Sequence, residues 1–144
     1  DKIKATIDYS GAYITQALYY LIEKEDKGSL DQLIGLANPK VPLEQILSII
    51  NSKLIAFYYE HRFNIGAGLT TNVTLANILR LPIHTTVNDQ LIDFTRKIIE
   101  LNQTNQSKSQ NQIAEITKLD ENINEIVYKM YGITEKEKAI IEFE

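Results

Sequence analysis

Pro42-Leu43-Glu44-Gln45-Ile46-Leu47-Ser48-Ile49-Ile50-Asn51-Ser52-Lys53-Leu54-Ile55-Ala56-Phe57-Tyr58 is the stretch on which the fold turns. Proline at the first position suits a helix start, where its missing N–H costs nothing. Leu43, Ile46, Leu47, Ile50, Leu54, Phe57 and Tyr58 then recur at spacings of three and four. That period places them on one face of a helix and predicts a core-facing stripe. Glu44, Ser48 and Lys53 fall off it. Asn64-Ile65-Gly66-Ala67-Gly68 ends the helix and opens a loop through Asn72.

N-terminal to this helix the pattern changes. Ala5-Thr6-Ile7-Asp8, Tyr13-Ile14-Thr15 and Leu18-Tyr19-Tyr20-Leu21-Ile22 are rich in aromatic and β-branched residues and read as strands. Ser29-Leu30-Asp31-Gln32 has the form of a capping box before a short helix, which Asn38-Pro39-Lys40 breaks. C-terminal to the long helix, Val73 to Ile78 fits a strand or a helical turn equally, and Leu81-Pro82-Ile83 must be nearly extended. Val87, Leu91, Phe94, Ile98 and Leu101 form one heptad seam, and Ile116, Leu119, Ile123, Ile126 and Met130 form another. The two are out of phase across the polar stretch Asn102 to Gln112. They predict an antiparallel helical hairpin, with a bent single helix as the alternative. Gly132 suits a helix C-cap, and Thr134 with Glu137 a capping box for a last short helix. The expected architecture is therefore α/β (α+β): a small mixed-sheet globule over residues 1–86, then a helical hairpin and short C-terminal helix over 87–144.

The chain has 144 residues, with 15 Lys+Arg against 19 Asp+Glu, for a net charge of −4. At 44% apolar and 24% charged residues it has the composition of a globular domain. Residues 1–63 carry a net −1, 64–107 are neutral, and 108–144 carry −3. A sequence pI of about 5.2 argues against strong autonomous affinity for nucleic acid. It leaves room for a reader held on DNA by a larger basic partner. Cysteine is absent, which removes disulfides, thiolate catalysis and cysteine-based metal sites, and fits a reducing, cytoplasmic setting. No apolar run approaches the ~18 residues of a membrane span. The first residue is Asp1, with no signal-peptide pattern, so the chain reads as a piece of a longer protein.

The inventory for chemistry is thin. His61 and His84 have no partner at metal-ligand spacing, and both read as surface histidines. Gly66-Ala67-Gly68 is no phosphate-binding loop, and no nucleophile–base set can be assembled. No catalytic residue, metal or cofactor site is assigned to this chain. What remains is a polar, partly basic set: Asn38, Lys40, Arg62, Asn64, Thr70, Thr71, Asn72 and Arg80. Arg can read guanine, Asn adenine, and Thr the thymine methyl or an acceptor.

Four segments carry a resemblance. Ile49-Ile50-Asn51-Ser52-Lys53-Leu54 resembles the Leu-Asn-Ser-Lys-Leu helix of the TaqI-like C-terminal specificity domain. That domain is the target recognition region of type IIG restriction–modification enzymes and related adenine methyltransferases. Leu75-Ala76-Asn77-Ile78-Leu79-Arg80-Leu81-Pro82-Ile83 resembles the family's leucine-to-Leu-Pro-Ile junction. Asp89-Gln90 is similar to the Glu-Gln that opens the spacer helix of type I specificity subunits. Leu119-Asp120-Glu121-Asn122-Ile123-Asn124-Glu125-Ile126-Val127-Tyr128-Lys129-Met130-Tyr131-Gly132-Ile133-Thr134-Glu135 is similar to the family's acidic, Val-Tyr-x-Leu-Tyr-Gly-Leu-Thr-x-x-Glu terminus. The resemblance implies sequence-specific binding of double-stranded DNA. It places catalysis in a methyltransferase region of the same parent chain that uses S-adenosylmethionine, with or without an endonuclease. Base-contacting positions vary with the sequence read, so the contact list (Lys40, Arg62, Asn64, Thr70, Thr71, Asn72, Arg80) rests on residue chemistry alone. The rival reading from the seams is a coiled-coil interaction or dimerisation module that binds no DNA.

Overall fold

A computed structural model describes residues 3–10, 40–63, 73–103 and 109–143. Among these residues there are six helices and no strand: α1 Leu43–Asn51, α2 Lys53–Phe63, α3 Leu75–Ile78, α4 Asp89–Gln103, α5 Gln110–Met130 and α6 Glu135–Phe143. The α/β mixed-sheet expectation is thereby corrected to an all-helical assembly. The segments at 13–22 and 29–37, on which much of it rested, lie outside the described residues. Ala5-Thr6-Ile7-Asp8 belongs to no helix or strand among the described residues. Its backbone meets a side chain instead. The Ala5 N–H donates to Asn51 Oδ1 at 2.8 Å, and Asn51 Nδ2 donates to the Ala5 carbonyl at 2.9 Å. A carboxamide offers the same donor–acceptor pair as a peptide group, so it holds this segment as a strand neighbour would. Residue preference for extended geometry therefore did not imply a sheet.

The long helix read from Pro42 to Tyr58 is two helices. Ser52 adopts φ −66° and ψ 153°, outside helical geometry. Its hydroxyl donates to the Ile49 carbonyl at 2.7 Å and accepts from the Ile55 N–H at 3.2 Å. One buried serine thus closes α1 and caps α2. The break resets the helical phase. Ile49, Ile55 and Tyr59 become the fully enclosed residues, while Leu54, Phe57 and Tyr58, from the predicted stripe, are only partly covered. The next N–H, that of Lys53, is taken by Asn124 of α5 at 2.8 Å. Asn124 is itself buried and donates to the Asp120 carbonyl at 2.9 Å.

The core joins Ile3, Ile49, Ile50, Ile55, Tyr59, Leu81, Leu91, Ile123 and Val127. It draws on both sides of residue 86. α5 packs on α4, α1 on α4, and α2 on both α5 and α6. α4 and α5 run antiparallel. Lys97 pairs with Glu115 near their connection, and Tyr131, just past α5, reaches Pro82 and His84 ahead of α4. α5 begins inside the polar stretch because Ser109 and Gln112 form a capping box. It ends in a Schellman turn: Ile133 N–H donates to the Tyr128 carbonyl at 2.9 Å and Gly132 N–H to the Lys129 carbonyl at 3.2 Å. Gly132 sits at φ 67°, which glycine adopts without steric cost. The Thr134–Glu137 box then opens α6, with Thr134 N–H and Oγ1 donating to Glu137 Oε2 at 2.9 and 2.7 Å.

Two variants test this framework. Replacing Asn124 by leucine removes the acceptor for the Lys53 N–H and is expected to cost about 1–3 kcal/mol in urea unfolding, the penalty of one stranded buried donor. The Thr134 hydroxyl and N–H hold the Glu137 carboxyl below its ordinary value of 4.5. A depressed carboxylate stabilises the fold above its unfolded pKa and loses that contribution as pH falls through the folded value. Stability therefore drops on acidification below about pH 4.5, and T134A shallows that drop in pH-resolved thermal melts.

Candidate nucleic-acid interface

Residues 73–88 lead from the end of α2 toward α4, held first by local bonds and then by side chains from α1 and from the end of α5. Thr74 caps α3, its Oγ1 accepting from the Asn77 N–H at 3.2 Å. Beyond α3 the Leu79, Arg80 and Leu81 N–H groups donate to the Leu75, Asn77 and Ile78 carbonyls at 3.0–3.1 Å. Leu81 is buried in the core. The Tyr131 hydroxyl donates to the Pro82 carbonyl at 2.5 Å and accepts from the His84 N–H at 2.9 Å, with the two rings edge to face at 5.5 Å. Burial pushes the Tyr131 phenol above its ordinary value, against the opposing pull of the His84 N–H. The bridge therefore stays protonated at neutral pH.

The last part of the link is fastened by Gln45, fully buried on α1. Its Nε2 donates to the His84 and Thr86 carbonyls at 3.1 and 2.9 Å, and its Oε1 accepts from the Asn88 N–H at 2.9 Å. Asn88 in turn accepts from the Leu91 N–H and caps α4. One glutamine so satisfies three backbone groups that no helix or strand serves. One turn along, Ser48 meets Thr95 of α4 in a buried hydroxyl pair. Nothing in the amphipathic pattern marked Gln45 or Ser48 as interior. The available signal was two polar residues three apart flanking an isoleucine-rich turn.

Of the residues chosen as DNA contacts, Asn64, Thr70, Thr71 and Asn72, with Asn38, lie outside the described residues. Lys40, Arg62 and Arg80 are exposed. Arg62 stands in the last turn of α2, where it lines a cleft of about 370 Å³ between α2 and α6, together with Leu54, Phe57, Tyr58 and Ile140. Arg80 follows α3 on the fastened link. Neither arginine has an ion pair among the described residues, whereas Arg96 is engaged with Glu44 at 3.0 Å. Burial raises the Glu44 carboxyl's pKa, but its backbone hydrogen bond, Arg96 and the Tyr9 hydroxyl outweigh that and lower it. Arg62 stands in the last turn of α2, Arg80 follows α3 and Lys40 precedes α1, so the three come from different parts of the chain.

The segments that carried the resemblance meet each other. Asn51-Ser52-Lys53 is clasped by Asn124, and Leu81-Pro82-Ile83-His84 by Tyr131. A family model for the TaqI-like C-terminal specificity domain matches residues 1–83, and the chain belongs to that family. No curated protein and no solved structure matches the chain. No helix among the described residues is long and apolar enough to cross a membrane.

The Gln45 and Tyr131 clasps make separable predictions. Q45L strands three backbone groups and is expected to lower stability by at least about 2 kcal/mol in denaturant unfolding. Y131F removes one hydroxyl and should cost about 1–2 kcal/mol, with faster amide hydrogen exchange at His84 than in the wild type.

Proposed function

We propose that this chain is a DNA target recognition domain. It selects a base sequence for a restriction–modification protein whose chemistry resides elsewhere in the parent chain. The observation that carries the reading is membership of the TaqI-like specificity-domain family across residues 1–83. The physical arrangement agrees with it. A specificity module must hold exchangeable side chains outward from a body that does not change shape. Here the link carrying Arg80 is fixed by Gln45, Leu81 and Tyr131 while the guanidinium remains exposed. Arginine presents a rigid fork of donors that matches guanine O6 and N7 or a phosphate.

In this reading Arg62 and Arg80, with Lys40, supply contacts to double-stranded DNA. The methyl group comes from S-adenosylmethionine bound in a methyltransferase region of the same parent protein, which modifies adenine. An endonuclease activity and a cytoplasmic setting accompany that class of system. The helical hairpin braces the recognition surface or docks on the catalytic region. The rival, a coiled-coil interaction module, draws less support. Phe94, Ile98, Ile126 and Met130, from the two seams, already pack against the chain's own core.

Binding to a duplex pool, measured at two salt concentrations, tests the reading. R80A or R62A should weaken the selected duplex by about 1–3 kcal/mol if that arginine reads a base. Equal loss on all sequences, with a shallower salt dependence, identifies a phosphate contact instead. Absence of sequence-selective binding by the wild-type parent protein would falsify the proposal.

A further inference from the structure

Leu75 and Leu79 lie four residues apart on the α3 turn, where the Leu79 N–H bonds to the Leu75 carbonyl. They are 51% and 73% exposed. Two large apolar side chains on one turn are left in water while the next residue but one, Leu81, is buried. Nothing compels this locally, since a four-residue helix capped by Thr74 forms equally well with polar residues at those positions. Arg80 stands directly beside Leu79, exposed and without an ion pair among the described residues.

The charge along this part of the sequence is also selective. No carboxylate occurs between Glu60 and Asp89, although the chain as a whole carries −4. The formal charges in that interval are Arg62 and Arg80. An acid-free stretch with exposed cations and a small apolar ridge complements a polyanion that offers apolar groups between its charges. Duplex DNA is such a surface. In its major groove the apolar group presented by the base pairs is the thymine C5-methyl.

We infer that Leu79, with Arg80 beside it, is a specificity-determining residue that seats its side chain against a thymine methyl in the major groove. The inference rests on the DNA-recognition reading above. Leu75 supports the ridge from the preceding turn. The three backbone hydrogen bonds of Leu79, Arg80 and Leu81, and the buried Leu81 side chain, hold the ridge in place.

The experiment uses the parent protein that carries this chain. A duplex is selected from a randomised pool by the wild type, and L79A is compared on that duplex and on its uracil-for-thymine counterpart. Because Leu79 is exposed, L79A should retain the wild-type circular dichroism melt. Expected are a loss of about fourfold or more for L79A on the thymine duplex, the equivalent of one buried methyl group. A similar loss is expected for the wild type on the uracil duplex, with no further loss when the two changes are combined. Wild-type affinity in L79A, a selected duplex without thymine, or equal uracil penalties in both proteins would overturn the inference while leaving DNA recognition standing. Failure of the pool to enrich any sequence would overturn both.

Discussion

The arrangement depends on a single interruption. Without Ser52, the residues from Leu43 to Phe63 would continue as one helix, and the apolar side chains of its second half would follow the phase of the first. The serine hydroxyl ends one helix and starts the next. Its two neighbours recruit other parts of the chain: Asn51 the segment at Ala5, and Lys53 the buried Asn124 of α5. Three consecutive residues therefore fix the position of four elements. The Ser52 and Asn124 bonds satisfy backbone groups that the break itself left open, and the Asn51 bonds satisfy those of Ala5.

This gives a physical reason for the short segments that carry the resemblance. They are the places where regular structure stops and backbone groups need partners from elsewhere. Asn-Ser-Lys sits at the helix break, Leu-Pro-Ile at the link into α4, and Tyr-Gly-Ile-Thr at the turn from α5 to α6. The second and third of these meet through the Tyr131 hydroxyl. Residues that hold such joints contribute to shape, and the selectivity of a recognition domain falls to the exposed positions between them.

The sequence reveals some of this directly. The capping chemistry of Thr134 and Glu137 and the glycine after α5 are local, and local rules read them. The helix over Leu43 to Tyr58 was visible as a period, but its break was not. Serine is compatible with a helix interior, and the break also draws on a partner far along the chain, Asn124. The sheet was misjudged for a related reason. Residues 5–8 find a carboxamide and not a strand, a partner chosen by tertiary packing. For the contact residues, chemistry named candidates, yet it could not weigh Leu79, whose significance comes from exposure. Lys40, Arg62 and Arg80 are exposed, and Asn64, Thr70, Thr71 and Asn72 lie outside the described residues.

The polar contacts between α1 and α4 have a mechanical meaning. Apolar ridges tolerate sliding, because one leucine replaces another against the same groove. Gln45, Ser48 and Thr95 do not, since each is committed to a particular oxygen or nitrogen across the interface. A shift of one helical turn, about 5.4 Å, would strand Gln45 in a dry environment and part the Ser48 and Thr95 hydroxyls, leaving each only the carbonyl of its own helix. The helix pair consequently has one indexed position, like a keyed shaft. Side chains on its outer surface can be exchanged over evolutionary time without any drift in where the frame holds them.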